Sequence, residues 1–254
     1  MKRVLAARVA AGLAVAALTL SACVTTPATG ARPATSAPAA APVVYAAIGA
    51  SESYGIGASD RYRQAWPQVF YNDVLPKSAV LYNFGIPGAT TAQALHDEVP
   101  AAAAVHPTVV TVWLNVNDLI GGVAAPAYEA QLRQVLHTLR RGGQARVLVA
   151  NTPDLAQLPA YRACFPNAPA GGPACLIPDA LLPTPQAVAA AVAAYNAAIT
   201  EAVNLEGATL VDLHLNGSQI SQHPEWISGD GFHPSGQGYA VIAKLFEDAY
   251  RHAS

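Results

Sequence analysis

Five short runs of apolar residues, separated by stretches with helical spacing, constrain the fold more than any other feature of this sequence. The runs are rich in valine, alanine and leucine and carry almost no charge. Strands that are apolar on both faces are typical of a parallel sheet covered by helices on each side. We therefore predict an α/β domain with a central five-stranded parallel sheet. The predicted strands are Val43–Ile48, Ala79–Phe84, Thr108–Leu114, Arg146–Ala150 and Ala208–Leu213.

The segments between these runs predict the helices that cover the sheet. In Pro185–Leu205, large apolar side chains recur every three or four residues, which is the pattern of an amphipathic helix. The remaining predicted helices are Gln64–Val74, Thr91–Val99, Pro126–Arg140 and Gly238–Tyr250.

The N-terminal segment is predicted to be a targeting signal. Lys2 and Arg3 precede an apolar stretch from Val4 to Leu20, and Leu20-Ser21-Ala22-Cys23 follows. This order is typical of a lipoprotein signal peptide, residues 1–22, that is cut before a cysteine that then carries lipid. An ordinary cleaved signal peptide or an uncleaved anchor would also explain the apolar stretch.

Composition indicates where the rest of the chain works and with what. Residues 23–42 are rich in alanine and proline and predict a flexible tether, so the folded domain is expected at 43–254. With a net charge of −2, the chain has no basic surface to attract nucleic acid. We expect an exported cell-envelope lipoprotein on the periplasmic or extracellular face, held to the membrane through lipid on Cys23.

A long proline-rich segment, Thr152–Pro183, fits no regular element and carries the remaining cysteines, Cys164 and Cys175. Disulfides persist in exported proteins, so we predict that these two cysteines are bonded; two buried free thiols are the alternative. The segment leaves the end of the fourth strand. It is interpreted either as a flap or rim facing the substrate, or as a surface excursion fixed by its disulfide.

Reactive side chains follow the predicted strands at their carboxyl ends. Ser51 follows the first strand, and Asp230 and His233 follow the fifth. The carboxyl ends of parallel strands meet at one edge of a sheet, where ligands bind. A serine needs a base to take its proton, and an acid three residues before a histidine can orient that base. We therefore predict a catalytic triad of Ser51, His233 and Asp230.

The second and third strands end in groups that could stabilise an oxyanion. Gly88 lies in a tight turn and can present its backbone N–H without obstruction, and Asn117 offers a side-chain amide. The backbone N–H of Ser51 is the third candidate donor.

These four segments resemble the sequence blocks of the SGNH hydrolases, the GDSL esterase/lipase superfamily, in a bacterial lipoprotein form. The match runs in order through Ser51, Gly88, Asn117 and His233 with Asp230. The resemblance implies a three-layer α/β/α flavodoxin-like fold, a Ser-His-Asp triad, an oxyanion hole from Ser51, Gly88 and Asn117, and no metal or cofactor.

The sequence departs from the family pattern at two positions. Ala50 stands where the family has aspartate before the nucleophile, and Asn115 stands where it has glycine, which could narrow the site. Neither residue belongs to the triad.

Several residues near these blocks have structural interpretations. Ser51 alone could cap the helix that follows it. Asp118 is expected to bond nearby backbone, Asp97-Glu98 to form a solvated helix end, and Trp113 to lie in the core. A zinc site is not predicted, because the histidines of the C-terminal region lack ligand-like spacing. They are His214, His223 and His233.

The sequence therefore predicts a serine esterase that hydrolyses carboxylic esters, with short acyl chains on small molecules or polysaccharides as substrates. Two alternatives remain. One is a catalytically impaired envelope lipoprotein that binds glycans, favoured by Ala50 and Asn115. The other is an acyltransferase on the same scaffold, which would use the same residues.

Overall fold

The protein is described by a computed structural model that covers residues 42–168, 172–217 and 219–252. The predicted signal peptide, most of the tether and the lipidation site Cys23 lie outside the described residues.

Five parallel strands form the central sheet, as predicted. They pair in the order β2-β1-β3-β4-β5. This is the strand order of the flavodoxin-like α/β folds, in which ligands bind beyond the carboxyl ends of the strands where the order reverses. The strands are β1 Val44–Gly49, β2 Val80–Asn83, β3 Val109–Trp113, β4 Arg146–Ala150 and β5 Thr209–Val211.

Ten α-helices are present in the described parts of the chain; five have nine to twenty-two residues and five have four or five. The long ones are α3 Trp66–Val74, α4 Thr91–Ala104, α6 Ala125–Arg140, α8 Pro185–Glu206 and α10 Gly236–His252. The short ones are α1 Ser51–Tyr54, α2 Arg61–Gln64, α5 Val116–Ile120, α7 Pro159–Arg162 and α9 Leu213–Gly217.

Side chains that alternate along the strands build one hydrophobic core on each face of the sheet. Ala46 and Ile48 of β1 pack with α4, α6 and α8, whereas Tyr45 and Ala47 pack with α3 and α10. Two buried cores of this kind require helices on both sides, which gives the predicted three layers. By length and composition α8 could cross a membrane, but it packs into the first core through its large apolar side chains. Those buried side chains are Tyr195, Ile199 and Val203.

Two predicted helices differ from those observed, and both differences involve proline. The helix predicted over Gln64–Val74 is divided at Ala65, because Pro67 has no N–H and suits the first turn of a new helix. The helix predicted to end at Val99 continues to Ala104 through Pro100. Burial of Ala102 against the core compensates for the hydrogen bond that Pro100 cannot make.

The segment Thr152–Pro183 is more regular than predicted. It contains α7 and two 3₁₀ turns, Leu155–Gln157 and Asp179–Leu181. Its apolar side chains form a third small cluster, so packing stabilises local structure that the proline content hides. The predicted disulfide between Cys164 and Cys175 is present.

Candidate active site

The candidate nucleophile lies at the first position of α1, directly after β1. Gly49, two residues earlier, has no room for a side chain, because a Cβ atom there would stand 2.1 Å from Ser53 Oγ and 2.8 Å from the carbonyl oxygen of Trp113. The strand therefore passes closely against β3 and turns at once into the helix. This places Ser51 at the carboxyl edge of the sheet, with 8% of its surface exposed.

His233 and Asp230 are bonded to each other in the loop before α10. Asp230 Oδ2 lies 2.6 Å from His233 Nδ1. The other carboxylate oxygen accepts hydrogen bonds from the backbone N–H groups of Phe232 and His233 and from the hydroxyl of Ser228. Partial burial would raise the pKa of Asp230, but the hydrogen bonds from His233, Phe232 and Ser228 outweigh it and lower the pKa to about 2. The acid is therefore ionised and holds one ring nitrogen of the imidazole.

The loop after α1 packs directly against the His233 loop. A Cβ atom on Gly57 would lie 2.4 Å from the carbonyl oxygen of Pro234 and 3.1 Å from His233 Cβ. Tyr239 of α10 joins the same two segments, since its hydroxyl donates to the carbonyl of Ile56 at 2.5 Å. The fold thus brings the Ser51 region and the His233 region together.

The hydroxyl of Ser51, however, is bonded to a residue that the sequence analysis did not single out. Ser51 Oγ donates to Glu52 Oε2 at 3.2 Å, and the structure contains no hydrogen bond between Ser51 and His233. Glu52 is 7% exposed, and burial raises its pKa; its own backbone N–H, the nearby His233 and Ser51 act in the opposite direction. The sequence signal was an acid directly after the serine, in Ala50-Ser51-Glu52.

Two of the candidate oxyanion donors, Gly88 and Asn117, lie at one turn that follows β2. Gly88 has a φ of 83°, which favours glycine, and a Cβ there would meet nothing within 4 Å. Asn117 Nδ2 donates to the carbonyl of Ala89 at 2.9 Å, which fixes its amide beside this turn. The backbone N–H groups of Ser51 and Gly88 have no acceptor among the described residues. The turn that holds Gly88 also contacts the end of β1, because the N–H of Ile86 donates to the carbonyl of Gly49 at 2.9 Å.

Asp118 and Asn115 are buried next to candidate site residues and form hydrogen bonds with nearby elements of the fold. Asp118 is fully buried and accepts hydrogen bonds from the backbone N–H and hydroxyl of Thr91, so the prediction that it bonds nearby backbone is confirmed. Asn115 is 2% exposed and donates to the carbonyl of Ala150 at 3.2 Å. Its side chain connects the ends of β3 and β4, so the expectation that it narrows the opening is not supported.

The prediction that Asp97-Glu98 forms a solvated helix end is wrong for Glu98. This residue is 1% exposed, and its Oε2 accepts the N–H of Gly49 at 2.9 Å. Burial raises its pKa to about 8. The spacing Ala94, Glu98, Ala102 puts it on the buried face of α4, which a longer predicted helix would have revealed.

The proline-rich segment Thr152–Pro183 packs beside the loop that carries Asp230 and His233. The N–H of Ala160 donates to the carbonyl of Gly231 at 2.9 Å, and a Cβ on Gly231 would lie 2.5 Å from Pro173 Cγ. Of the two interpretations of this segment, the one that places it at the rim of the site agrees with these contacts.

An apolar cavity lies next to the loop that carries Asp230 and His233, and Phe232 and Pro234 of that loop line it. It has about 670 Å³ of free space and is partly open to solvent. Glu52 is its only charged lining residue, and none of Ser51, Gly88, Asn117 and His233 borders it. Trp113, predicted to be core, is buried and forms part of the wall. Further apolar lining residues are Val116, Leu213, Trp226, Phe232 and Leu245.

Residues 47–241 match the GDSL-like Lipase/Acylhydrolase family. The chain belongs to this family. The matched range begins in β1 and ends in α10, so it includes all the candidate site residues. None of the curated proteins compared with the chain matches its sequence.

Several solved structures share the fold at low sequence identity. TesA superimposes with a TM-score of 0.59 at 18% identity, covering 82% of this chain and 98% of TesA. The psychrotrophic esterase EstA from Pseudoalteromonas sp., inhibited by monoethylphosphonate, gives 0.57 at 16% identity, covering 82% and 96%. Phospholipase A1 from Streptomyces albidoflavus gives 0.57 at 17%, covering 82% and 100%. The similarity therefore spans nearly the whole length of these three proteins.

Proposed function

We propose that this hydrolase is a serine esterase that cleaves carboxylic esters through a covalent acyl-enzyme. The observation that carries the proposal is the Asp230–His233 pair, which is bonded at 2.6 Å and packed against the loop that follows Ser51. An ionised acid on one ring nitrogen leaves the other nitrogen of the imidazole to act as base.

In the first half of the reaction, Ser51 Oγ attacks the ester carbonyl carbon while its proton passes to His233 Nε2. The tetrahedral oxyanion accepts hydrogen bonds from the N–H groups of Ser51 and Gly88 and from the amide of Asn117. When the intermediate collapses, the bond from the carbonyl carbon to the alcohol oxygen breaks. The alcohol leaves with the proton from His233, and the acyl group remains on Ser51.

In the second half, water attacks the acyl-enzyme. His233 takes a proton from the water, and the new oxygen bonds to the carbonyl carbon. Collapse of this second intermediate returns the proton to Ser51 Oγ and releases the carboxylic acid, so no other reactant is consumed.

We infer that the acyl groups are short. The apolar cavity is the most obvious place for a long acyl chain, but it is not bordered by Ser51 or by the three candidate oxyanion donors. A series of p-nitrophenyl esters from acetyl to palmitoyl tests this inference. We expect kcat/KM to fall as the chain lengthens, and a maximum at long chains would contradict it.

We also propose that the protein is exported and held to the cell envelope by lipid on Cys23. The leader that ends at Cys23, the alanine- and proline-rich tether, and the disulfide between Cys164 and Cys175 support this location. Metabolic labelling with a palmitate analogue checks it. The wild type should incorporate the label and Cys23→Ser should not, whereas equal labelling would exclude Cys23 as the lipid site.

The catalytic proposal is tested with p-nitrophenyl acetate and a fluorophosphonate probe, which reacts only with an activated serine. Inhibition of the similar esterase EstA by monoethylphosphonate favours a reagent of this kind. We expect Ser51→Ala to abolish both hydrolysis and labelling, with Ser59→Ala as a matched control that retains them.

Near-normal turnover in Ser51→Ala would eliminate the mechanism. A wild type that binds acylated glycans but neither labels nor hydrolyses would instead establish the binding-protein alternative, for which the Ser51–Glu52 bond is the favourable observation. Acyl-sugar products formed with an acceptor sugar would identify an acyltransferase.

A further inference from the structure

One buried carboxylate beside the nucleophile has no part in the mechanism described above. Glu52 follows Ser51 in α1 and is 7% exposed. Its Oε2 accepts a hydrogen bond from Ser51 Oγ at 3.2 Å. This is the only side-chain hydrogen bond that Glu52 makes in the described parts of the chain.

The bond between Ser51 and Glu52 competes with the one that catalysis needs. A serine hydroxyl has a single proton and donates it to one acceptor at a time. To act as nucleophile, Ser51 must direct that proton at His233 Nε2. The carboxyl group of Glu52 already accepts the hydrogen bond of this hydroxyl at 3.2 Å in a buried position, so Ser51 must give up that bond before it can donate to His233. In the resting arrangement, the triad is therefore disconnected at its first step.

The surroundings of Glu52 strengthen this competition. Its carboxylate faces a cavity whose other lining residues are uncharged, so neighbouring side chains offer few donors. The hydroxyl of Tyr239, which lies close to both Glu52 and Asp230, is committed to the carbonyl of Ile56. His233 lies near enough for its charge to act on Glu52 when the imidazole is protonated. Among these groups, Ser51 alone provides a side-chain hydrogen bond to the buried acid.

We propose that Glu52 restrains the nucleophile, holding the Ser51 hydroxyl away from His233 until Ser51 rotates about its Cα–Cβ bond to join the triad. This proposal rests on the esterase function proposed above. It assigns to Glu52 an inhibitory contact, so weakening Glu52 as an acceptor should make Ser51 more reactive. A purely structural role would instead make every substitution at this position harmful.

Two variants of similar size weaken or remove the hydrogen-bond acceptor at position 52. Glu52→Gln removes the ionisable group but keeps an acceptor oxygen, and Glu52→Met removes the acceptor and suits the apolar cavity. Glu201→Gln, on the exposed face of α8, is the matched control. The measurement is the second-order rate constant for labelling of Ser51 by a fluorophosphonate probe, because it depends on the nucleophile and not on deacylation.

We expect the labelling rate to rise about fivefold in Glu52→Met, which removes an acceptor whose hydrogen bond is worth about 1 kcal/mol, and by less in Glu52→Gln, which keeps an acceptor oxygen. The rate in Glu201→Gln should equal that of the wild type. Equal or lower rates in both Glu52 variants, with circular dichroism showing that they are folded, would overturn the proposal. A crystal structure of Glu52→Met gives a second measurement, in which Ser51 Oγ should lie within hydrogen-bonding distance of His233 Nε2.

The same experiment separates this proposal from the esterase function. If the wild type labels at Ser51 and the Glu52 variants are not faster, only the restraint is refuted. If neither the wild type nor the variants label, Ser51 is not an activated nucleophile, and both proposals fall.

Discussion

The two sides of the candidate site are built differently. On the side of the base, the loop that carries His233 is closely packed: Gly57, Ala160 and Pro173 all approach it, and none leaves room for another carbon atom. On the side of the oxyanion donors, the turn at Gly88 is open, with nothing within 4 Å of where a Cβ would stand. The difference indicates that the loop of the candidate base is held in place by packing, whereas the turn of the candidate donor Gly88 is free of close contacts.

This asymmetry separates two demands on an esterase. The base must keep one orientation through both halves of the reaction, and close packing with a bonded acid provides that. The oxyanion donors must be unoccupied until the carbonyl arrives, and exposed N–H groups without protein acceptors meet this need. Substitutions on the packed side should therefore affect stability and rate together, and those on the open side should affect mainly the rate.

The largest effect is expected for the acid that orients the base. Asp230→Asn keeps the shape of the side chain but lets its amide favour the wrong tautomer of His233, so kcat should fall by about 10⁴. Steady-state hydrolysis of p-nitrophenyl acetate measures the loss, with Asp73→Asn on exposed α3 as the control. A loss of less than tenfold would show that Asp230 does not orient the base.

A smaller effect on rate is expected on the open side. Asn117→Ala removes one oxyanion donor and should lower kcat by about 10²–10³. The variant also loses the hydrogen bond to Ala89, which costs only about 1 kcal/mol of stability. Kinetics and thermal unfolding, compared with Asn204→Ala on α8, check both values. An unchanged rate would remove Asn117 from the oxyanion hole and blur the distinction between the two sides.

The smallest effects concern stability alone and compare matched glycines. Gly231 and Gly88 both have positive φ angles, 74° and 83°. Alanine at 231 would also clash with Pro173 and Ala160, so we expect a loss of about 3 kcal/mol in Gly231→Ala. Gly88→Ala should lose only about 1 kcal/mol, from backbone strain. Denaturant unfolding measures both, and equal losses would mean that the packing difference has no energetic weight.

Most of the fold could be predicted from the apolar pattern. The strand Arg146–Ala150 was predicted at its observed bounds, because a buried parallel strand is apolar on both faces and the pattern is unambiguous. The continuation of α4 through Pro100 could not be predicted, since proline usually ends a helix and only tertiary packing overrides that preference. The short helices of Thr152–Pro183 were missed for the same reason.

The sequence indicated the candidate site residues but not all of the bonds between them. Sequence order and strand ends indicated Ser51, Gly88, Asn117, Asp230 and His233, and the pairing of Asp230 with His233 followed from their spacing. The buried acids were not recognised. The burial of Glu98 follows only from a helix longer than the predicted one, and the bond from Ser51 to Glu52 depends on how the fold orients these two adjacent side chains.

The support that Glu98 gives to Gly49 has a consequence for when the enzyme becomes active during synthesis. The turn that carries Ser51 is contacted by Glu98 of α4 and by the end of β3. Both of these segments leave the ribosome later than the turn itself. Its base comes later still, just ahead of the final helix. A nascent or truncated chain therefore contains Ser51 without its supporting contacts and without its candidate base. Ester cleavage is expected to begin only after the C-terminal segment has packed against the domain.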